Sequence, residues 1–443
     1  MSETQHEVAI VGAGLSGLAM AVELRRAGLP APVIFEAADE VGGTWRDNTY
    51  PGCACDVPSH LYSFSFAPNR RWSRFFGQQP EIFQYIKQTA DEHGLRPLIR
   101  FNTPIQEARF NDQTKHWEIE TRSGERHTAR SLILAMGPLS QPGIPDFPGR
   151  DRFQGPAFHS QSWDHHTDLA GKRVAVIGTG ASAIQIVPAI APTVGHLDIY
   201  QRTPPWIMPR NDRPLAAWER WLFDNLPLAQ WLYRSLLYWR REIAAHLFVA
   251  RPDWARRYAH YAREHITAQI ADPALRTAVT PRYTMGCKRV LLSDDYYPAL
   301  TRDNVSLVTA SVAELTEDGV IDTDGVERKA DVVIYATGFK ATEFLSRFSV
   351  YGPGGVELNQ AWQSGAEAYY GVTTAGFPNL FFVLGPNSGL GHSSMILMIE
   401  AQTRFIRQCL ARLQATDGGT IAVKDAAQRA FNRTLQQRMK QTV

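Results

Sequence analysis

The sequence predicts an α/β fold of two similar parallel-sheet units, the second interrupted by a run of helices. Three observations predict it. An apolar strand, a glycine turn and a helical pattern follow one another over residues 8–24. The same succession returns over residues 174–190, and a helical pattern rich in Trp, Leu, Arg and Tyr fills residues 205–281.

Length and composition bound the rest. At 443 residues the chain exceeds one ordinary core and suits two or three domains. The balance of 46 basic against 44 acidic residues leaves almost no net field, which argues against nucleic acid as a partner. Cys53, Cys55, Cys287 and Cys409 are too few and too unevenly spaced for a disulfide framework, so a reducing cytoplasm is the expected location. No basic segment precedes the first apolar run at Val8, so no signal peptide is expected. No apolar stretch approaches the ~20 residues of a membrane span. Oligomeric state is not legible.

The first unit opens with Val8-Ala9-Ile10-Val11 and the turn Gly12-Ala13-Gly14-Leu15-Ser16-Gly17. In such a turn the first glycine permits the bend, the second lets a pyrophosphate approach the backbone, and the third lets helix pack on strand. Alone the pattern is weak. It gains weight because Val33-Ile34-Phe35 reads as the next strand and ends in Glu36, nineteen positions beyond Gly17, where a carboxylate binds an adenosine ribose. The second unit repeats the opening as Val174-Ala175-Val176-Ile177 and Gly178-Thr179-Gly180-Ala181-Ser182-Ala183. The same offset from Ala183 falls on Arg202. A carboxylate repels a 2′-phosphate and a guanidinium pairs with it. Two Rossmann-like dinucleotide-binding domains are therefore expected, the first for a dinucleotide without that phosphate, the second for NADP. The plainer reading of Arg202 is a solvated strand end.

The alternating run Trp117-Glu118-Ile119-Glu120-Thr121 and the strand Leu132-Ile133-Leu134-Ala135 complete the first unit, and the Pro/Gly-rich residues 137–149 read as a linker. Asp331-Val332-Val333-Ile334-Tyr335, ending in Ala336-Thr337-Gly338, mirrors residues 132–137. Leu380-Phe381-Phe382-Val383-Leu384 then returns the chain to its first unit. The expected division is 1–150 with 335–443 for the first domain and 151–334 for the second, with the helical insertion at about 205–281. A substrate cavity is expected where they meet. The insertion's aromatic and arginine content suits either a cap over that cavity or a helix lying on a membrane surface.

Two further segments carry a family resemblance. Residues 153–164, Phe-Gln-Gly-Pro-Ala-Phe-His-Ser-Gln-Ser-Trp-Asp, match at Phe153, Gly155, His159, Trp163 and Asp164 the fingerprint Phe-x-Gly-x-x-x-His-x-x-x-Trp-Pro/Asp. Residues 42–56 match Ala/Gly-Gly-x-Trp, Phe/Tyr-Pro-Gly/Met and a terminal Asp, as Gly42-Gly43-Thr44-Trp45, Tyr50-Pro51-Gly52 and Asp56. The chain resembles the type I Baeyer-Villiger monooxygenases over its whole length apart from the insertion. A third match is Cys287-Lys288-Arg289, with Tyr296-Tyr297 and Arg302-Asp303-Asn304-Val305 beyond it.

The resemblance implies FAD on the first unit, NADPH on the second, and O2 and a small-molecule ketone as substrates. It implies that a peroxyflavin attacks the ketone and that an ester or lactone results. FAD would meet Gly12, Gly14, Ser16, Gly17, Glu36, Thr44, Trp45, Asp56 and Tyr62; NADPH would meet Gly178, Thr179, Gly180, Ala181, Ser182, Arg202, Thr203 and Lys288. Arg289, also among the cofactor-binding residues, takes the catalytic role, stabilising negative charge on oxygen, with Asp56 fixing its rotamer. Asp56 as a turn cap is the plainer alternative. Trp163-Asp164 favours ketone oxidation over oxygenation of a sulfide or amine, which stays open as the second reading. The chain stops at Val443, where many relatives continue with a Trp- and Tyr-containing segment, so part of the active-site wall is expected to be missing or built differently. An uncoupled NADPH oxidase or redox module is the third reading, favoured by that feature alone.

Other residues invite chemistry the pattern does not require. His159 suits a general base, yet in a linker motif it is expected to bond backbone and couple the domains. Cys53 and Cys55 are expected to pack rather than to cycle as a redox pair. His165 and His166 are read as loop residues, and no metal is expected. Residues 385–394 precede a helix whose amides face the flavin or are simply capped.

Overall fold

The computed structural model describes residues 4–340, 348–416 and 418–440. Within them the chain forms two large sheets, a three-stranded antiparallel sheet, a helical insertion and flanking helices. The first large sheet runs in the order Ser349–Tyr351, Ile105–Phe110, Trp117–Thr121, Arg126–Leu134, Thr4–Val11, Val33–Phe35, Ile99–Arg100, with Leu380–Phe382 also paired to Arg126–Leu134. Its strands are parallel except where Trp117–Thr121 pairs antiparallel with both neighbours. The sequence shows why. Val8, Ala9, Ile10 and Val11 are all buried, as in a strand covered on both faces, whereas Trp117–Thr121 alternates between buried and more exposed positions.

The second sheet is parallel throughout, in the order Val305–Val308, His196–Tyr200, Arg173–Ile177, Val332–Tyr335, Ala157–His159. Its edge strand corrects one expectation. Residues 153–164 are not all linker, because Ala157–His159 hydrogen-bonds alongside Val333 to Tyr335. Three residues suffice when a preformed parallel neighbour offers its open edge.

The three-stranded sheet, Val312–Leu315, Gly319–Asp322 and Glu327–Lys329, went unread in the sequence. Its signal is two Asp-Gly pairs, Asp318-Gly319 and Asp324-Gly325, the second with Gly325 at φ +80° in the tight turn. Leu315 and Val320 pack with Ala175, Val333 and Tyr335 on one face of the second sheet.

The insertion consists of the helices Ala217–Asn225, Pro227–Ala250, Pro252–Gln269 and Pro273–Val279. It begins later than residue 205, because Ile207–Met208 is a short strand paired with Leu291–Leu292. A Pro near each helix start sets the boundaries between the last three, since proline fits the first turn without loss of a backbone hydrogen bond.

The two crossings between sheets run side by side. Gly143 N donates to Gly338 O at 2.8 Å, and Lys340 N donates to Gln141 O at 3.0 Å. His159 Nε2 reaches the same Gly338 carbonyl at 3.0 Å, while its Nδ1 accepts from Gln161 N at 3.1 Å. Both ring nitrogens are thereby committed to backbone, and burial holds the imidazole's pKa below its ordinary value. His159 ties its strand to the crossover.

Candidate functional site

One cavity of about 1070 Å³ opens where the two units meet. It lies at the carboxyl ends of parallel strands, against Val11, Phe35, Ala135, Ile177, Tyr200 and Ala336, the place where ligands bind in such folds. Its wall includes Gly12, Gly14, Ser16, Glu36, Thr44, Trp45, Asp56 and Tyr62 from the first unit. From the second it includes Gly178, Thr179, Gly180, Ala181, Ser182, Arg202, Thr203, Lys288 and Arg289. Of the residues expected to hold cofactors, Gly17 alone lies behind the wall.

The glycines divide by function. Gly12 and Gly178 sit at φ +104° and +113°, and a Cβ would come within 2.7 Å of Ala135 O and 2.4 Å of Ala336 O. These two are required by the protein itself. A Cβ on Gly17 would lie 2.0 Å from Gly12 O, so its absence lets the helix Leu15–Arg26 pack on its strand. Gly14 and Gly180 are different. A Cβ on Gly14 meets nothing nearer than Gly43 Cα at 3.7 Å, and on Gly180 nothing within 4 Å. Neither needs to be glycine for packing, so the bare backbone serves something that approaches from the cavity. No side chain caps the helix that starts at Leu15, leaving its first-turn amides toward the same space.

Glu36 is buried, and its oxygens accept from Ala13 N at 2.8 Å and Ala38 N at 3.0 Å. Arg46 Nη1 pairs with it at 3.1 Å. Burial opposes the Arg46 charge, but Asp47 and Glu36 outweigh it and raise its pKa. Arg46 lies within the residue 42–56 motif, and the pair neutralises a carboxylate that would otherwise be costly to bury. Arg202 is exposed at the corresponding place in the second unit, beside Thr203 and Lys288. The two dinucleotide sites thus differ in charge at matching positions.

Asp56 and Arg289 meet across the domains. Arg289 Nη2 donates to Asp56 Oδ2 at 2.5 Å. Burial works against the guanidinium charge, yet Asp56 more than offsets it and the pKa of Arg289 is raised. Two arginines missed in the sequence approach the same segment: Arg210 donates to Cys55 O at 2.9 Å, and Arg241 donates to Asp56 O at 3.5 Å as well as to His392 O at 3.0 Å. Nothing in the sequence distinguishes them from other arginines near the insertion.

Gln185 was also missed. Its Oε1 accepts from Tyr50 OH at 3.0 Å, and its Nε2 donates to Ala54 O at 3.0 Å. It thereby fixes the loop before Asp56 to the helix Ala183–Ile190. One signal was available: it is polar in the otherwise apolar run Ala-Ile-Gln-Ile-Val-Pro-Ala-Ile.

The remaining residues fall outside the cavity or stay inert. Phe153, Gly155, His159, Trp163 and Asp164 do not line it. Trp163 packs edge-on against Phe158, and Asp164 holds its own loop by accepting from His166 N at 2.9 Å and Thr167 Oγ1 at 2.5 Å. Cys53 and Cys55 are buried free thiols, and burial pushes the Cys53 pKa up to about 12, which keeps it protonated. The helix Met395–Gln414 is capped by Ser394, whose Oγ accepts from Ile396 N at 3.3 Å, while Met395 itself lines the cavity. Among the described residues no group of three or more His, Cys, Asp or Glu is placed to hold a metal ion.

The model of the family "Flavin-binding monooxygenase-like" matches residues 5–242, more than half of the chain. A protein named Baeyer-Villiger monooxygenase from Streptomyces coelicolor is 48% identical, covering 100% of this chain and 86% of its own length. The chain is a flavin-binding monooxygenase of the Baeyer-Villiger group. The monooxygenase superposes on cyclohexanone monooxygenase from Rhodococcus sp. Phi1, solved bound to NADP+, with a TM-score of 0.89 at 30% identity, covering 100% of this chain and 90% of that one. The corresponding figures for OTEMO, solved with FAD and NADP, are 0.90 and 29%, covering 100% and 92%. The fold of this monooxygenase is therefore that of enzymes carrying two dinucleotides at once.

Proposed function

We propose that the chain oxidises a ketone to an ester or lactone using NADPH and O2, with FAD on the first glycine turn and NADPH on the second. The observation that carries the reading is the Arg289–Asp56 pair in the wall of a cavity into which both turns open. Bound FAD supplies the redox chemistry by which NADPH and O2 furnish the inserted oxygen atom.

The residues divide the remaining work. Gly14 gives the FAD pyrophosphate room to approach the backbone, Glu36 takes the adenosine ribose, and Thr44, Trp45 and Tyr62 line the site farther along. Trp45 Nε1 donates to Tyr62 OH at 2.9 Å, which orients both rings. Gly180 does for NADPH what Gly14 does for FAD, and Arg202 with Lys288 takes the 2′-phosphate. Asp56 holds Arg289, which lines the cavity and stabilises negative charge that develops on oxygen. Because the guanidinium stays charged throughout, it spends no proton in doing so.

The free thiols Cys53, Cys55, Cys287 and Cys409 support a cytoplasmic place of work. The test follows NADPH consumption and products together, with purified FAD-loaded protein, O2, a panel of cyclic, linear and aryl ketones, and one sulfide. Esters or lactones matching the NADPH consumed support the reading. Sulfoxide without ester would move the activity to sulfide oxygenation, and peroxide alone across the panel would overturn oxygen insertion.

A further inference from the structure

The insertion presents two faces, only one of which the rest of the molecule uses. Its inner face is engaged. Gln230 Nε2 donates to Asn69 O at 2.8 Å, Arg234 to His60 O at 2.8 Å, Arg241 to His392 O at 3.0 Å, and Glu242 pairs with His392 at 3.0 Å. These contacts tie the insertion to the body of the molecule.

The outer face is apolar and open. Trp231, Trp239, Leu228, Leu232, Leu236 and Ile243 recur at helical spacing along Pro227–Ala250, and all are exposed. Trp218 and Trp221 extend the face on the neighbouring helix, and the four tryptophans are 60% to 67% exposed. An apolar surface of this extent on a water-facing helix marks an interaction site.

We propose that this face docks on an anionic lipid surface. Charge selects that occupant. Two of the acidic side chains nearby are ion-paired, Glu219 with Arg213 and Asp224 with Arg71 at 3.2 Å, and Glu242 is hydrogen-bonded to His392 at 3.0 Å. Arg220 and Arg240 are exposed and have no ion-pair partner among the described residues. Tryptophan and leucine flanked by unpaired arginine form the chemistry of a helix lying in the headgroup layer, where indoles sit at the boundary and guanidinium groups meet phosphate. A second copy packed on the same face would instead bring like charges together. No helix among the described residues is long and apolar enough to cross a membrane, so the contact is peripheral.

The test uses the FAD-loaded full chain with sonicated vesicles of phosphatidylcholine alone or of phosphatidylcholine and phosphatidylglycerol at three to one. Co-sedimentation with the anionic vesicles is expected, with tryptophan emission shifting to the blue and binding weakening as salt rises. Trp231→Ser with Trp239→Ser should abolish sedimentation. Arg220→Gln with Arg240→Gln leaves the apolar face intact and should weaken binding by about tenfold or more, from roughly fivefold per arginine. Flavin absorbance and oxidation of a water-soluble ketone should be unchanged in both variants, separating loss of docking from loss of folding. No binding to anionic vesicles overturns the proposal. So does a sedimenting dimer that the tryptophan variants dissociate, which would assign the face to a second copy.

Discussion

Arg289 reaches across 233 positions of sequence to donate to Asp56 at 2.5 Å, joining the segment after the insertion to the end of the residue 42–56 motif in the cavity wall. The two side chains make different demands. In the proposed function Arg289 acts on the reacting atoms and Asp56 acts through Arg289. Arg289→Ala should therefore keep FAD and NADPH oxidation but lower ester formation by about 100-fold or more, the usual cost of one lost oxyanion donor. Asp56→Asn should lower it less, since the guanidinium remains and only its anchor weakens. Product formed per NADPH consumed is the readout, and coupled turnover in Arg289→Ala would remove that residue from the chemistry.

In the proposed function Arg202, in the cavity wall, discriminates between nicotinamide dinucleotides. Arg202→Ala removes a charge-assisted contact worth roughly 1.5–3 kcal/mol, which corresponds to about a 10- to 100-fold rise in the NADPH Michaelis constant. The NADH constant should stay put, because NADH has no 2′-phosphate to lose. Steady-state kinetics with both nucleotides decides it, and an equal rise in both would place Arg202 elsewhere.

Much of this site was legible because backbone chemistry leaves its mark at fixed positions. The turns at Gly12 and Gly178, and the opposed charges at Glu36 and Arg202, stand where a strand, a turn and a helix must put them. What escaped notice depends on distant partners. Gln185 matters through Tyr50 and Ala54, Arg46 through Glu36, and Arg241 through His392, relationships that no local pattern contains. The strand Ala157–His159 escaped for the same reason: its one partner strand among the described residues is Val332–Tyr335, far along the chain.

The second glycine turn separates folding from binding within two residues. Gly178→Ala forces a side chain into φ +113° and to within 2.4 Å of Ala336 O, so it should destabilise by about 2 kcal/mol or more. Gly180→Ala meets nothing within 4 Å and should melt like the parent. Its methyl group occupies the nucleotide's approach instead, and the NADPH Michaelis constant should rise by about tenfold, or ~1.4 kcal/mol. Thermal melts without nucleotide, set beside NADPH kinetics, separate the two. An unchanged constant in Gly180→Ala would mean that nothing approaches the backbone there.

Acid should loosen the insertion through His60. The ring is buried between Phe223 and Tyr233, at centroid distances of 4.4 and 5.7 Å, and its Nδ1 lies 3.2 Å from Gln230 Nε2, a donor. Burial holds its pKa down to about 4, with Arg234 adding to the effect and Glu219 opposing it. Protonation would turn the acceptor facing Gln230 into a second donor and place a cation beside Arg234. Because the folded pKa lies below the ordinary 6.5, the unfolded chain takes up the proton first. The stability from neutral His60 is complete above pH 6.5 and is lost as pH falls toward 4, amounting to about 3 kcal/mol across the window. His60→Gln cannot titrate. It should lower the melting temperature at pH 7 yet flatten its fall between pH 6.5 and 4, measured on the FAD-loaded protein. A variant that still loses stability in parallel with the parent would place the titrating group elsewhere.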